Sequence, residues 1–209
     1  MSEAQKRSHE VLSGHYCIPF SDSPLDMSAV FSNSNPVTIE IGFGMGSATV
    51  EIASANPQKN YIGIEVFRAG VGRLLWEIEQ RSLVNLRIIE HDAVSVLEKM
   101  IPDGSVEAFH IFFPDPWPKS KQKKRRLIKR PFTDLLASKL KVNGYIYMVS
   151  DCVDYCEAAL PELSAVEPLR NVFQKYAVRQ SWRPLTKFEK KGIERGSVIN
   201  ELFFIKDFA

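Results

Sequence analysis

From Val37 onward the chain alternates short apolar β-type runs with helical patterns, and few folds accept that rhythm. The β-type runs are Val37–Ile41, Tyr61–Glu65, Leu86–Glu90, Val106–Phe113 and Tyr145–Ser150. Helical spacing follows them around Ala48–Ala55, Ala69–Arg81, Ala93–Met100, Pro131–Leu140 and Val153–Leu163. Strands that alternate with helices imply βαβ units and a mostly parallel sheet buried on both faces. Further on, two strand candidates, Val172–Trp182 and Val198–Ile205, flank the connection Arg183–Gly196, which shows no pattern of its own. A connection that long inside a compact domain points to function. Residues 1–36 lack periodicity and carry Ser-Asp-Ser-Pro and Ser-Asn-Ser-Asn-Pro. The expectation is an irregular N-terminal arm over 1–36 and a single α/β domain over 37–209.

Composition narrows the classes. A chain of 209 residues with 44% hydrophobic and 25% charged residues is ordinary for a globular protein and argues against disorder. The opening MSEAQKRSHE has no apolar core of a secretory signal, and the apolar runs are far shorter than a membrane span. Three cysteines do not make a disulfide framework. Cys152 and Cys156 are spaced i,i+4, but no cluster supplies the further ligands that zinc takes, so structural thiols and no metal are expected. These readings place the protein in the cytoplasm.

The strongest local signal is Val37-Thr-Ile-Glu-Ile-Gly-Phe-Gly-Met-Gly46, an apolar strand running into Gly42, Gly44 and Gly46 ahead of a helix. Glycines there permit unusual dihedrals and let a ligand approach bare backbone. The spacing is GxGxG, with Ser47 where a dinucleotide fingerprint needs its third glycine. Glu40, just before the turn, would repel a pyrophosphate and suits a cationic ligand; S-adenosylmethionine carries an ammonium and a sulfonium. The second strand run ends at Glu65, placed to accept from ribose hydroxyls, and the third at His91-Asp92, where Asp92 can accept from an adenine amine. Any one of these acids is equally explained as a helix N-cap; three at successive strand ends mark one ligand crevice.

The fourth strand run ends in Ile111-Phe-Phe-Pro-Asp-Pro-Trp-Pro-Lys119. Three prolines stiffen this segment and hold Asp115 and Trp117 at the strand's mouth. The position resembles that of the Asp/Asn-Pro-Pro-aromatic turn of amino-group methyltransferases, where a carboxylate or amide contacts a flat base. Trp117 is read either as a stacking platform, worth about 1–3 kcal/mol per base, or as packing against the sheet. Eight of the twelve residues Lys119–Arg130 are basic and none is acidic. Without them the formal net charge of +2 becomes −6, so the near-neutral total conceals a strong local asymmetry. Such a run beside a proposed methylation site suggests a phosphate backbone gripped without sequence readout. In the long connection, Thr186, Lys187, Phe188 and Glu189 bring a hydroxyl, a cation and a carboxylate together, and a glutamate can accept from guanine's Watson–Crick edge. By themselves these residues read by default as a solvated loop.

Together these residues resemble the bacterial tRNA (guanine-N7-)-methyltransferase family from about Val37 to Phe204. The blocks that carry the resemblance are Glu40–Gly46, Ile62-Gly-Ile-Glu65, Phe112–Lys119 and Thr186-Lys-Phe-Glu189. The chain departs from the family pattern at Ser120-Lys-Gln, at Gly196–Glu201 and in residues 1–36. The resemblance implies a Rossmann-like class I methyltransferase fold, with a seven-stranded, mostly parallel sheet and an antiparallel last strand. It implies S-adenosylmethionine as donor and N7 of a guanosine at position 46 of the tRNA variable loop as acceptor. Carried across, Glu40, Gly42, Gly44, Gly46, Glu65, Asp92 and Asp115 are cofactor-side residues, and Asp115 is also the catalytic one. Lys119, Asp151 and Thr186–Glu189 form the substrate set. Lys121, Gln122, Lys123, Lys124, Arg125 and Arg126 contact RNA. The expected partner is tRNA, with a monomer or homodimer and no membrane. A methyltransferase with another acceptor, and a non-catalytic RNA-binding homologue, are the alternatives.

Overall fold

The computed structural model describes residues 1–209. Its strands are β1 (Val37–Ile41), β2 (Asn60–Ile64), β3 (Leu86–Ile89), β4 (Val106–Phe112), β5 (Leu140–Ser150), β6 (Leu169–Asn171) and β7 (Asn200–Lys206). They form a seven-stranded sheet in the order β3-β2-β1-β4-β5-β7-β6. β1 is parallel to β2, β2 to β3, and β4 to β5, whereas β7 runs antiparallel to both β5 and β6. The mostly parallel sheet with an antiparallel last strand is the expected architecture. By internal contacts the chain divides into two compact units. One is Met1–Pro102 with Trp182–Pro184, the other Asp103–Ser181 with Leu185–Ala209.

In the first unit, β1 and β2 are buried at every position, as parallel strands covered on both faces must be. Helices α3 (Ser47–Ala55), α4 (Arg68–Arg81) and α5 (Ala93–Lys99) follow the three strands, close to the expected boundaries. The arm over 1–36 is not irregular, and that expectation is corrected. It holds α1 (Glu3–Tyr16) and α2 (Met27–Phe31). Ser2 and Gln5 form a reciprocal capping box at the start of α1, and Asp26 caps α2. Periodicity missed α1 because it packs through small and polar residues. Ser8 is its buried side chain, and a Cβ on Gly72 of α4 would sit 2.5 Å from the Gln5 carbonyl oxygen. Between the two helices the Ile18 amide donates to the Ile88 carbonyl (2.8 Å), so the arm lines the edge strand β3.

In the second unit, α6 (Phe132–Lys139) and α7 (Val153–Ser164) match expectation. The strand expected over Val172–Trp182 does not form, and that expectation is corrected; the strand here is β6, just before it at Leu169–Asn171. The Asn171 side chain binds the Phe173 amide and the Lys175 carbonyl, which turns the chain away from a ladder. The connection Arg183–Gly196 holds α8 (Lys187–Glu194), another difference from expectation. Cys156 is buried at the base of α7, where burial, with Cys152 and Asp151 close by, pushes its thiol up to about 12. It is an inert structural thiol. No helix is long and apolar enough to cross a membrane.

Candidate active site

The glycine turn of the first unit is built as the sequence pattern requires. Gly42, Gly44 and Gly46 have φ of 72°, 57° and 72°. Nothing lies within 4 Å of where a Cβ on Gly42 or Gly44 would stand, so the backbone faces open space. Gly44 is approached from behind by α4, where a Cβ on Gly70 would lie 1.8 Å from the Gly44 carbonyl oxygen. Glu65, just past β2, ties the turn in place. Its Oε2 accepts from the Gly44 amide (2.7 Å), and its Oε1 accepts from the amides of Val66 (2.7 Å) and Phe67 (2.9 Å). One acceptor position on Oε2 stays available to a ligand. Asp92 caps α5 through the Ser95 amide (3.0 Å) and hydroxyl (3.2 Å), all on Oδ1, and its side chain is exposed. The cap uses only Oδ1 of Asp92, so capping does not preclude ligand binding by these acids. Phe20 of the arm stacks on His91 next door, with ring centroids 3.9 Å apart.

Glu40 is the unusual acid. It sits within the buried strand β1 at 5% exposure. Burial pushes its carboxyl up from 4.5 to about 7; the Thr49 hydroxyl beside it offsets part of this, and the Glu65 charge adds to it. A cation delivered to this acid favours the ionised form and lowers its pKa. In the free protein the raised pKa stabilises the fold fully below about 4.5, and that contribution disappears as pH climbs to about 7. Binding of a cationic cofactor runs the other way. Its affinity is expected to rise with pH, by up to about tenfold per unit below 7, and to level off above. Calorimetry at pH 6.5 in two buffers of different ionisation enthalpy checks this. Proton release on binding that vanishes in Glu40→Gln is the expected result, and equal release in both proteins contradicts it.

In the second unit, β4 and β5 end side by side, with the Phe113 amide donating to the Val149 carbonyl (2.7 Å). Asp115 follows the first of these strands and Asp151 the second. The Pro114–Pro118 turn carries Asp115 exposed. Phe113 and Trp117 bracket Pro114-Asp115-Pro116 with φ of 52° and 44°. Bulky non-glycine residues in this region cost on the order of 1–3 kcal/mol each, and surrounding contacts must hold them there.

The basic run forms a 3₁₀ helix, Ser120–Arg125, which begins next to the exposed Lys119. With about three residues per turn, side chains three apart lie on one ridge. One ridge, Lys123 and Arg126, faces α7. The Lys123 Nζ is 2.7 Å from Asp154, and the Arg126 guanidinium binds the same carboxylate. Hydrogen bonds from Lys123 and then Arg126 hold Asp154 below the usual carboxylate range. Another ridge, Lys121 and Lys124, is exposed. Arg125 lies over the Trp117 ring, 4.9 Å from its centroid. The six positions expected on RNA thus divide. Arg126, at 5% exposure, is a buried structural contact rather than an RNA-facing side chain.

Thr186 and Glu189 are the first turn of α8. The Thr186 hydroxyl accepts from the Glu189 amide (3.1 Å), so the Thr-x-x-Glu spacing that carried the substrate reading is also a helix-start signal. Lys187 and Phe188 are exposed, and Phe188 packs edge-on against Phe113, 5.2 Å away, next to the Pro114–Pro118 turn. Glu189 is buried at 1% exposure and lines a pocket of ≈ 490 Å³ with Arg179, Leu185 and Glu201. The Tyr147 hydroxyl donates to Glu201, and the Arg179 Nε lies 3.9 Å from Glu189.

A family model described as a putative methyltransferase matches residues 34–202. The chain belongs to this methyltransferase family. It is 47% identical over 206 residues to a tRNA (guanine-N(7)-)-methyltransferase of Nitrosospira multiformis, covering 99% of this chain and 90% of that one. A protein of the same name from Francisella tularensis subsp. novicida is 44% identical over 99% of this chain and 90% of its own length. Among solved structures the chain is similar in fold to the 16S rRNA methyltransferase KamB, with a TM-score of 0.64 and 13% identity. That likeness covers 90% of this chain and 95% of the other. A precorrin-6y C5,15-methyltransferase from Geobacter metallireducens matches with a TM-score of 0.55 and 13% identity, over 89% of this chain and 93% of that one.

Three features of this methyltransferase went unread in the sequence. Gly70 was visible, with Gly72, as one of two glycines inside a helical pattern, each unfavourable there unless packing demands it. Arg126 was indistinguishable from its basic neighbours until the 3₁₀ spacing was known. Tyr147 and Glu201 meet across paired strands, and no local motif announces that.

Proposed function

We propose that this methyltransferase transfers a methyl group from S-adenosylmethionine to N7 of a guanosine in tRNA, at position 46 of the variable loop, in the cytoplasm. The observation that carries the reading is near full-length similarity to tRNA (guanine-N(7)-)-methyltransferases at 44–47% identity. The residues present fit the cofactor. The open glycine turn offers bare backbone, and Glu40 is a buried acid whose charge a cation would stabilise.

S-adenosylmethionine, when bound, supplies an electrophilic methyl on a sulfonium. Glu40 and the Gly42–Gly46 turn hold its cationic end, Glu65 its ribose and Asp92 its adenine. Guanine N7 presents an in-plane lone pair and carries no proton at neutral pH, so no side chain needs to act as general base. Asp115 orients the base and stabilises the positive charge the ring acquires. Asp151, Thr186 and Glu189 contact the nucleoside, and Phe188 and Trp117 offer aromatic faces for it. Lys119, Lys121 and Lys124 hold phosphates. Alignment is the main source of rate, for which well-oriented reactants gain roughly 7–11 kcal/mol.

Incubation of unmodified tRNA with methyl-labelled cofactor, followed by cleavage specific for N7-methylguanosine, tests the reading. Label at the variable-loop guanosine is expected. Label on an exocyclic amine, or binding of tRNA without any transfer, would replace it with one of the other classes. Salt dependence adds a second measure. Of the eight basic residues in Lys119–Arg130, Lys123, Arg126 and Arg130 are in ion pairs with Asp154 or Asp134. Five cations remain, and about five phosphates give a log–log slope of tRNA affinity against salt near −4, rather than about −6 for eight.

A further inference from the structure

The basic run contains one residue whose placement does not suit RNA. Arg126 uses all three guanidinium nitrogens within the protein. Its Nε donates to the Pro116 carbonyl (2.8 Å), Nη1 to the Asp154 carbonyl (3.2 Å) and Nη2 to the Asp154 carboxylate. Its plane lies over the Tyr155 ring, 4.9 Å from the centroid. The Tyr155 hydroxyl in turn accepts from the amides of Leu127 (3.0 Å) and Ile128 (3.1 Å), which fixes the chain just beyond Arg126. Pro116 lies immediately after Asp115, inside a segment whose two flanking residues, Phe113 and Trp117, are held in the left-handed region. Such backbone persists only where outside contacts over-determine it, and the Arg126 hydrogen bond to Pro116 is one such contact.

We propose that Arg126 is a positioning residue for methyl transfer. Anchored on Asp154 at the start of α7, it grips the Pro116 carbonyl and so sets the Pro114–Pro118 turn and the place of Asp115. The proposal rests on the assignment of Asp115 as the residue that meets the base. The 3₁₀ spacing gives the run two tasks: Arg126 braces the turn, with Lys123 on the same ridge sharing its Asp154 anchor, while Lys121 and Lys124 face outward to phosphates. A guanidinium is required for the inner task, because its planar fork reaches a carbonyl and a carboxylate at once and a lysine ammonium does not.

Steady-state methylation by the full chain tests this. Arg126→Gln is expected to lower kcat by about 10²-fold, the scale of an ångström-sized misplacement, with KM for tRNA changed by less than about twofold. Arg126→Lys is expected to behave like Arg126→Gln. A phosphate contact predicts the opposite pair of results: a raised KM and shallower salt slope in Arg126→Gln, and near-normal activity in Arg126→Lys. Either of those overturns the proposal. Asp154→Asn covers the case in which Arg126 variants do not fold, since this carboxylate is exposed. It removes an acid beside the RNA-facing cations, so any effect on RNA attraction is favourable; a fall in kcat then identifies the brace, and an unchanged kcat rejects it.

A readout independent of the acceptor keeps the two readings apart. The contribution of Trp117 to fluorescence, obtained by difference against Trp117→Phe, reports the turn directly. In Arg126→Gln it is expected to shift in emission and quench more readily with acrylamide. No change there rejects the proposal even if the protein methylates N7. A clear change in a protein that methylates another atom supports the brace while the assigned acceptor fails.

Discussion

Asp115→Asn is expected to slow methyl transfer by about 10²- to 10³-fold, the range observed when one group that stabilises developing charge is removed. Asparagine keeps the size and a hydrogen-bonding oxygen of the carboxylate, so it still fits the Pro114–Pro118 turn. What it loses is the negative charge opposite a ring that becomes cationic as N7 takes the methyl. The loss should fall on kcat, with little change in KM for tRNA, because the charge it answers exists only on the way to product. Small carboxylate or amine bases added to the assay should not rescue the variant. Guanine N7 has no proton to give up, and rescue by base, or a rate profile governed by a single proton acceptor, would show Asp115 acting in a different chemistry.

Gly70→Ala is the second large effect, and it acts without touching a ligand. In an exposed helix interior this change would stabilise by roughly 0.5–1 kcal/mol. At Gly70 the new Cβ lies 1.8 Å from the Gly44 carbonyl oxygen. That oxygen is main chain and cannot rotate away, so either α4 lifts off or the glycine turn moves. Overpacking of this kind costs about 1–3 kcal/mol. The outcome expected is a lower melting temperature, by about 2–4 °C for each kcal/mol in a chain of this size. Cofactor affinity should fall at least about tenfold, the equivalent of roughly 1.4 kcal/mol, as Gly44 loses its bond to Glu65. Affinity for tRNA should change little, since the basic run belongs to the other compact unit. Unaltered cofactor affinity in a stably folded Gly70→Ala would refute the role given to the Gly70–Gly44 approach.

Much of the fold was legible because its signals are local. Parallel strands buried on both faces appear as apolar runs, and β1 to β5 surface within a few residues of where those runs lie. The glycine turn was legible for the same reason, since its positive φ values demand glycine. What failed was periodicity in polar helices. α1 packs through Ser8 and the backbone of Gln5, and α8 carries three lysines and a glycine in eight residues. Both were announced by capping pairs, Ser2 with Gln5 and Thr186 with Glu189, a signal more reliable there than hydrophobic spacing.

The site separates along the same line. The residue types that suit a cationic cofactor, a flat base and a phosphate chain are set out in the sequence from Glu40 to Glu189, as is the family. The sequence also sets the order in which strands must carry them. Only the tertiary structure decided what each polar group does besides. It made Asp92 a helix cap, Glu65 a tie on the glycine turn, and Arg126, the last of six positions expected on RNA, a buried donor to the Pro116 carbonyl beside Asp115. The physical reason is that charge and hydrogen-bonding capacity belong to a residue type, whereas its partner is decided by which neighbours lie within about 3 Å, and distant parts of the chain supply most of those neighbours.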